Sequence, residues 1–145
     1  MKTEVYEIPE SISAPETEYL YLGDSAIIGA GQGLFTAILI YKNEIISLFK
    51  GEILDDTEAA NRANLKLDGY FINMLDGKIM DSRLTSCFAK YANDAEGLSK
   101  SRFKNNAKIA LDENDEVCLV ALRNIKVDEE IFCGYGKKYW LNFGR

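Results

Sequence analysis

The sequence predicts a single, mainly β domain of short strands with one helix. Three observations lead there. At 145 residues the chain has the length of one domain. Short runs rich in β-branched and aromatic residues alternate with turn signals along most of it. Before the C-terminal tail, only one stretch carries the start signals of a helix.

Taken in order, residues 1–17 read as an acidic, polar N-terminal leader holding both prolines, Pro9 and Pro15, and too acidic for a signal peptide. "YLYLG" (19–23) and "LFTAILIY" (34–41) read as strands, and "EIISLF" (44–49) follows the turn-like Lys42-Asn43, so residues 34–49 are expected to form a hairpin. "DDTEAANRANLKL" (55–67) is the helix, with Asp55 or Asp56 as its cap and acidic residues in its first turn. "YFINM" (70–74) and "KIMD" (78–81) are strands joined by a turn containing Asp76-Gly77. Residues 87–106 turn polar and irregular, the length of loop that serves a function or moves. "NAKIALDENDEVCLVALRN" (106–124) alternates on both sides of an acidic turn and reads as a second hairpin. That turn lacks the glycine and glutamate spacing of a calcium-binding loop. "KKYWLNFGR" (137–145) reads as a short helix or turn with exposed aromatics.

Composition excludes several functions. A net charge of −6 argues against direct nucleic-acid binding, which calls for a basic face, and favours a Lys/Arg-rich partner. The absence of histidine removes Ser-His-Asp and Cys-His catalysis and leaves no donor set for a tetrahedral zinc site. Cys87, Cys118 and Cys133 have no C-x-x-C spacing and lie among apolar residues, as buried free thiols of a reducing compartment do. No apolar run approaches the length of a membrane span, so the expectation is a soluble, intracellular protein, cytoplasmic or nuclear.

The glycines of "AIIGAGQGLFTAILIY" (26–41) pose the functional question, because Gly29, Gly31 and Gly33 occupy alternate positions. A dinucleotide fingerprint needs G-x-G-x-x-G before a helix, and here a β-rich run follows. No Gly-Lys-Ser/Thr follows either, which removes a P-loop. Two readings remain on these residues alone: a tight turn or bulge between strands, or a backbone cradle for a compact ligand.

Three further stretches come after the glycines in a fixed order: "FKGEIL" (49–54), "KYANDAEG" (90–97) and "DEEIFCGYGKKYW" (128–140). With "GAGQGLF" (29–35), this series resembles the SET-domain protein lysine methyltransferases over roughly residues 20–140. It is similar to the subset with Asn-Asp-Ala in the third motif and no flanking zinc clusters. Lys90 stands where the family usually has Arg, and Phe49 where Tyr is common.

The resemblance implies a SET-domain fold over residues 18–145, several small β-sheets around a knot-like C-terminal segment, a rare exception to unthreaded topology. It implies transfer of a methyl group from S-adenosyl-L-methionine to the ε-amine of a lysine in a basic protein or peptide, a histone tail among the candidates. Its alternative is a catalytically inactive SET-like module that binds a peptide. No metal is implied, and self-association is left open. Tyr135 becomes the catalytic tyrosine whose hydroxyl orients the reacting centre. Ala30, Gly31 and Gln32 would bring main-chain groups to the cofactor, Asn93 its amide to the amino-acid portion, and Asp94 its backbone. Phe49 would pack against the cofactor or in the core, and Trp140 would stack on adenine or anchor an interface. Cys133 takes the position whose bulk limits how many methyls a lysine accepts, so di- or trimethylation is expected, with Tyr70 the aromatic that would fill the gap.

Overall fold

The computed structural model describes residues 8–74, 76–96 and 101–134. Its strands form three sheets. In the first, β1 (Glu10–Ser11), β4 (Glu44–Leu48), β9 (Val117–Ala121) and β8 (Ala107–Leu111) lie side by side in that order. The second runs β10 (Glu130–Ile131), β3 (Gln32–Thr36), β2 (Leu20–Asp24), and the third β5 (Glu52–Leu54), β7 (Ile79–Asp81), β6 (Phe71–Asn73). Among the described strand pairs, only β1–β4 is parallel. Leu34, Ile40, Ile46, Ile72, Leu119, Ile125 and Ile131 fill the core where these sheets meet, each no more than 1% exposed. Complete burial of such a side chain stabilises by about 1.5–3 kcal/mol.

The hairpin around the acidic turn is present: β8 and β9 pair antiparallel in register from Ala107↔Ala121 to Leu111↔Val117. Asp112 shapes the turn, its Oδ1 accepting from Asn114 N and Glu116 N at 2.8 and 2.9 Å. The hairpin expected over residues 34–49 is not. β3 pairs with β2 and β10, whereas β4 pairs with β1 and β9. The cause lies at Thr36, whose hydroxyl donates to Ile38 O at 2.8 Å and accepts from Ile38 N at 3.1 Å, which ends the strand. Asp128 N then donates to Thr36 O, bringing the 128–131 segment to the edge that β4 would have taken.

The expected helix is α2 (Asp56–Asn64), capped by Asp55, whose side chain accepts from Glu58 N at 2.8 Å. It stops short of Leu67 because Lys66 takes a positive φ of 61° and Leu67 N turns back to Arg62 O. Only Ala59 of this helix is buried, so polar contacts from Arg62 hold it to the sheet. A second α-helix, α1 (Glu16–Tyr19), belongs to the segment before β2. Glu16 accepts from Ser47 Oγ at 2.5 Å and Leu48 N at 3.0 Å, and Tyr19 donates to Ile46 O at 2.7 Å, which ties this segment to β4.

A short 3₁₀ turn, Ala89–Tyr91, leads into Asn93. From there the chain makes a loop and returns at Asn106. The 130–133 segment lies between the two ends of that loop. Asn93 bridges Phe132 and Ala107 bridges Cys133, both in parallel sense. The 130–133 segment is thus flanked by two stretches distant from it in sequence, and the site is built there.

Candidate functional site

The glycine loop opens β3 and is closed by Ser25 N donating to Gly31 O at 2.8 Å. Gly31 has a φ of +76°, which a residue with a Cβ tolerates poorly, and nothing lies within 4 Å of where a Cβ would point. Gly33 is crowded for a different reason. A Cβ there would overlap Glu130 Oε2 and stand 2.9 Å from Glu130 Cδ. The alternate-glycine pattern therefore combines backbone torsion with close approach of a carboxylate.

Asn93 joins this loop from the other side. Its Nδ2 donates to Gln32 O at 2.9 Å, while its Oδ1 accepts no hydrogen bond from any described residue. Its backbone oxygen accepts from Cys133 N at 2.9 Å. Three stretches far apart in sequence thus meet: Ala30, Gly31 and Gln32 in the loop, Asn93, and Cys133. Ala30 also packs in a satellite cluster with Ile27, Ala95, Phe103 and Phe132.

Asp94 is held by its own loop. Its Oδ1 accepts from Glu96 N at 2.9 Å and Asn105 Nδ2 at 3.0 Å. Asn105 returns the contact, its Oδ1 accepting from Ala95 N and its N–H donating to Glu96 Oε2. Asp94 therefore braces its loop against Asn105 with its side chain.

Phe49 is 6% exposed and belongs to the main core cluster, which also contains Cys133 and Ala92. Tyr70 is half-buried and faces Lys90, whose Nζ sits 5.7 Å from its ring centroid and 5.4 Å from that of Tyr91. The same Nζ donates to the carbonyls of Ser82, Arg83 and Thr85 at 3.1, 3.4 and 2.9 Å. A lysine suits this work because its three donors spread over a turn, where a planar guanidinium would not. Tyr135 and Trp140 lie outside the described residues.

Two residues of the site were not singled out in the sequence. Glu130, 6% exposed, accepts from Ser25 Oγ at 2.6 Å and from Ala26 N at 2.8 Å. Asn106, fully buried, donates from Nδ2 to Glu130 O at 2.9 Å and accepts at Oδ1 from Phe132 N at 2.8 Å. The signal for Glu130 was its place in "DEEIF", an acid at a strand start. Asn106 carried none beyond its Asn-Asn pair.

A cleft of about 610 Å³ opens elsewhere, between Ala14, Pro15 and Glu16 on one side and Leu48, Cys87, Phe88 and Tyr91 on the other. It contains none of the residues named above for the cofactor, and Glu16 is already committed to Ser47 and Leu48. Converging polar groups, rather than size, mark the candidate site at the glycine loop. All three cysteines are buried and unbridged. Burial, with Asp112 and Glu116 nearby, pushes the Cys118 thiol up to about 12, far from reactivity. Among the described residues no group of three or more His, Cys, Asp or Glu is placed to hold a metal, and no helix is long and apolar enough to cross a membrane.

A domain of small sheets in which the glycine loop and the Asn-Asp turn converge on the last strand is the SET architecture. Residues 31–136 match the family described as SET domain, well over half of the chain. The chain belongs to the SET-domain family, whose members are S-adenosylmethionine-dependent protein lysine methyltransferases. Similar solved structures include a humanized mutant of the Chaetomium thermophilum Polycomb Repressive Complex 2 bound to an inhibitor, with 25% identity and a TM-score of 0.69 over 82% of this chain and 15% of that one. Another is ctPRC2 in an autoinhibited conformation bound to S-adenosylmethionine, with 25% identity and a TM-score of 0.67 over 83% of this chain and 15% of that one. Apo ctPRC2 in an autoinhibited state matches at 25% identity and a TM-score of 0.69, again over 82% and 15%. The chain thus spans about 15% of the length of the chains it resembles.

Proposed function

We propose that this chain binds S-adenosyl-L-methionine at the glycine loop and methylates the ε-amine of a lysine in a basic protein or peptide. The observation that carries the reading is the Asn93 amide, which donates to Gln32 O and leaves its Oδ1 open beside a glycine loop with free space at Gly31. Those groups suit a ligand with ammonium and carboxylate ends, since Asn93 Oδ1 accepts and main-chain amides donate. Solved ctPRC2 with S-adenosylmethionine bound adds support by analogy of fold.

When bound, the cofactor supplies an electrophilic methyl group, so the protein's task is binding and alignment. Ala30, Gly31 and Gln32 offer main chain to it, Asn93 its open oxygen, Asp94 its backbone, Phe49 an apolar wall and Trp140 an adenine partner. The substrate amine must lose its proton, which costs about 4–5 kcal/mol at pH 7 from an unperturbed pKa near 10.4. An apolar channel beside a cationic sulfonium lowers that cost, because burial and like charge both disfavour ammonium. Tyr135 orients the amine through its hydroxyl. Cys133 and Tyr70 line the channel, and the small thiol side chain leaves room for a second and third methyl. The net charge of −6 favours a Lys/Arg-rich substrate, with histone tails as one class.

The test is transfer of labelled methyl to panels of histones and basic peptides, with Tyr135→Phe as control. Transfer by the wild type, lost in the variant while cofactor binding persists, is expected. Tight binding of S-adenosylhomocysteine with no transfer to any basic substrate would make the chain a binding module instead.

A further inference from the structure

We infer that Glu130 is a positioning residue for the cofactor loop, acting through Ser25, and that Gly33 exists to admit it. The inference rests on the proposed cofactor site. Glu130 sits in β10, which pairs with β3 in the register Glu130↔Phe35. Its side chain crosses to the start of the glycine loop, where Oε2 accepts from Ser25 Oγ and Oε1 from Ala26 N. No Lys or Arg among the described residues forms an ion pair with it. A buried carboxylate without a cation is costly unless donors satisfy it, so its hydrogen bonds are its reason for being there.

Those bonds hold the loop at its first shoulder, and Ser25 carries the hold across it. Ser25 Oγ, held by Glu130, in turn accepts from Ile27 N at 3.1 Å. Ser25 N donates to Gly31 O, closing the loop across its base. Ile27 O accepts from Ala30 N at 3.1 Å, which sets the residue preceding Gly31. One carboxylate therefore fixes, in two steps, the residues that would meet the cofactor. Asn93 grips the same loop at Gln32 O from the opposite side. Glu130 is also fastened by its own backbone, because its carbonyl accepts from Asn106 Nδ2. The strand that leads to Cys133 and the loop that cradles the cofactor are thus pinned to each other through one residue. Glu129, its neighbour, points elsewhere and pairs with Arg123 at 2.7 Å.

The experiment measures S-adenosylhomocysteine affinity of the full chain by calorimetry, with amide exchange of residues 26–33 in the free protein. Ser25→Ala and Glu130→Gln are expected to weaken binding about tenfold or more, the loss of one charge-assisted hydrogen bond. Exchange in the loop quickens in both. The KM for the cofactor rises while kcat at saturation is kept. A residue that only stabilised the fold would lower the melting temperature and leave KM and loop exchange unmoved. Glu129→Gln is the control and leaves affinity unchanged. If Glu130→Gln fails to fold, Ser25→Ala alone decides, since it removes only the hydroxyl. A folded Ser25→Ala with wild-type affinity and wild-type loop exchange overturns the inference. A wild type that binds no S-adenosylhomocysteine overturns the cofactor reading instead, and loop exchange still reports whether Glu130 holds the loop.

Discussion

Replacing Arg62 by alanine should unfold this protein more readily than any other single change on its surface helix. The guanidinium reaches three carboxylates: Nη1 lies 2.8 Å from Asp81 Oδ2 and 3.1 Å from Glu52 Oε1, and Nε lies 2.7 Å from Glu58 Oε2. Glu52 and Glu58 are about half exposed, at 45% and 46%, so solvent screens both pairs and neither decides the outcome. Asp81 is different, because its side chain is 0% exposed. Without Arg62 it keeps only Arg83 N, which donates to Oδ1 at 2.9 Å. Breaking a buried pair by removing one partner costs about 3–5 kcal/mol. The loss of α2's main anchor adds to it, since that helix buries only Ala59. For a chain of this size the melting temperature should fall by roughly 6–20 °C. Urea denaturation at pH 7 measures the change. Arg62→Ala with Asp81→Asn together should lose less than the single variant, because the stranded charge is gone. A loss below about 1 kcal/mol for Arg62→Ala would show that Asp81 is satisfied without it, and the reasoning would fail.

Three further outcomes are expected. Asn93→Ala loses the bond to Gln32 O and the open oxygen together, so S-adenosylhomocysteine affinity falls about tenfold or more, read by calorimetry. On the proposed function, Cys133→Phe would fill the channel position, and mass spectrometry after exhaustive turnover should shift from di- or trimethylated product toward monomethyl. Monomethyl product alone from the wild type would refute the role of Cys133. At alkaline pH, burial chiefly, with Glu16 and Glu44, raises the Tyr19 hydroxyl above its ordinary value of 10. The folded state keeps this proton after the unfolded chain has lost it, so the stabilisation is complete below pH 10 and declines above it. The slope is about 1.4 kcal/mol per pH unit for this group. Tyr19→Phe should flatten the pH profile above 10, and an unchanged slope in chemical denaturation would contradict the assignment.

What the sequence made legible was the part decided by near neighbours. Asp55 announces a helix because its carboxylate needs only Glu58 N three residues on, and the acidic turn announces its hairpin because Asp112 folds it from within. The pairing of β3 was not legible, since the segment that takes its edge arrives 92 residues later, as Asp128 N meets Thr36 O. The ordered motifs identified the family, yet they left each side chain's partner open. Asp94 enters the cofactor reading through its backbone, and the motif gave no partner for its carboxylate, which accepts from Glu96 N and Asn105 Nδ2. Gly33 shows the limit most sharply. Flanked by Gln32 and Leu34 it looks like a turn glycine, but a Cβ there would displace the Glu130 carboxylate, which arrives from late in the chain. A glycine kept for torsion can be inferred from its own neighbours. One kept for a distant side chain becomes intelligible only once the 130–133 segment is in place, which carries the carboxylate and pairs with Asn93 and Ala107.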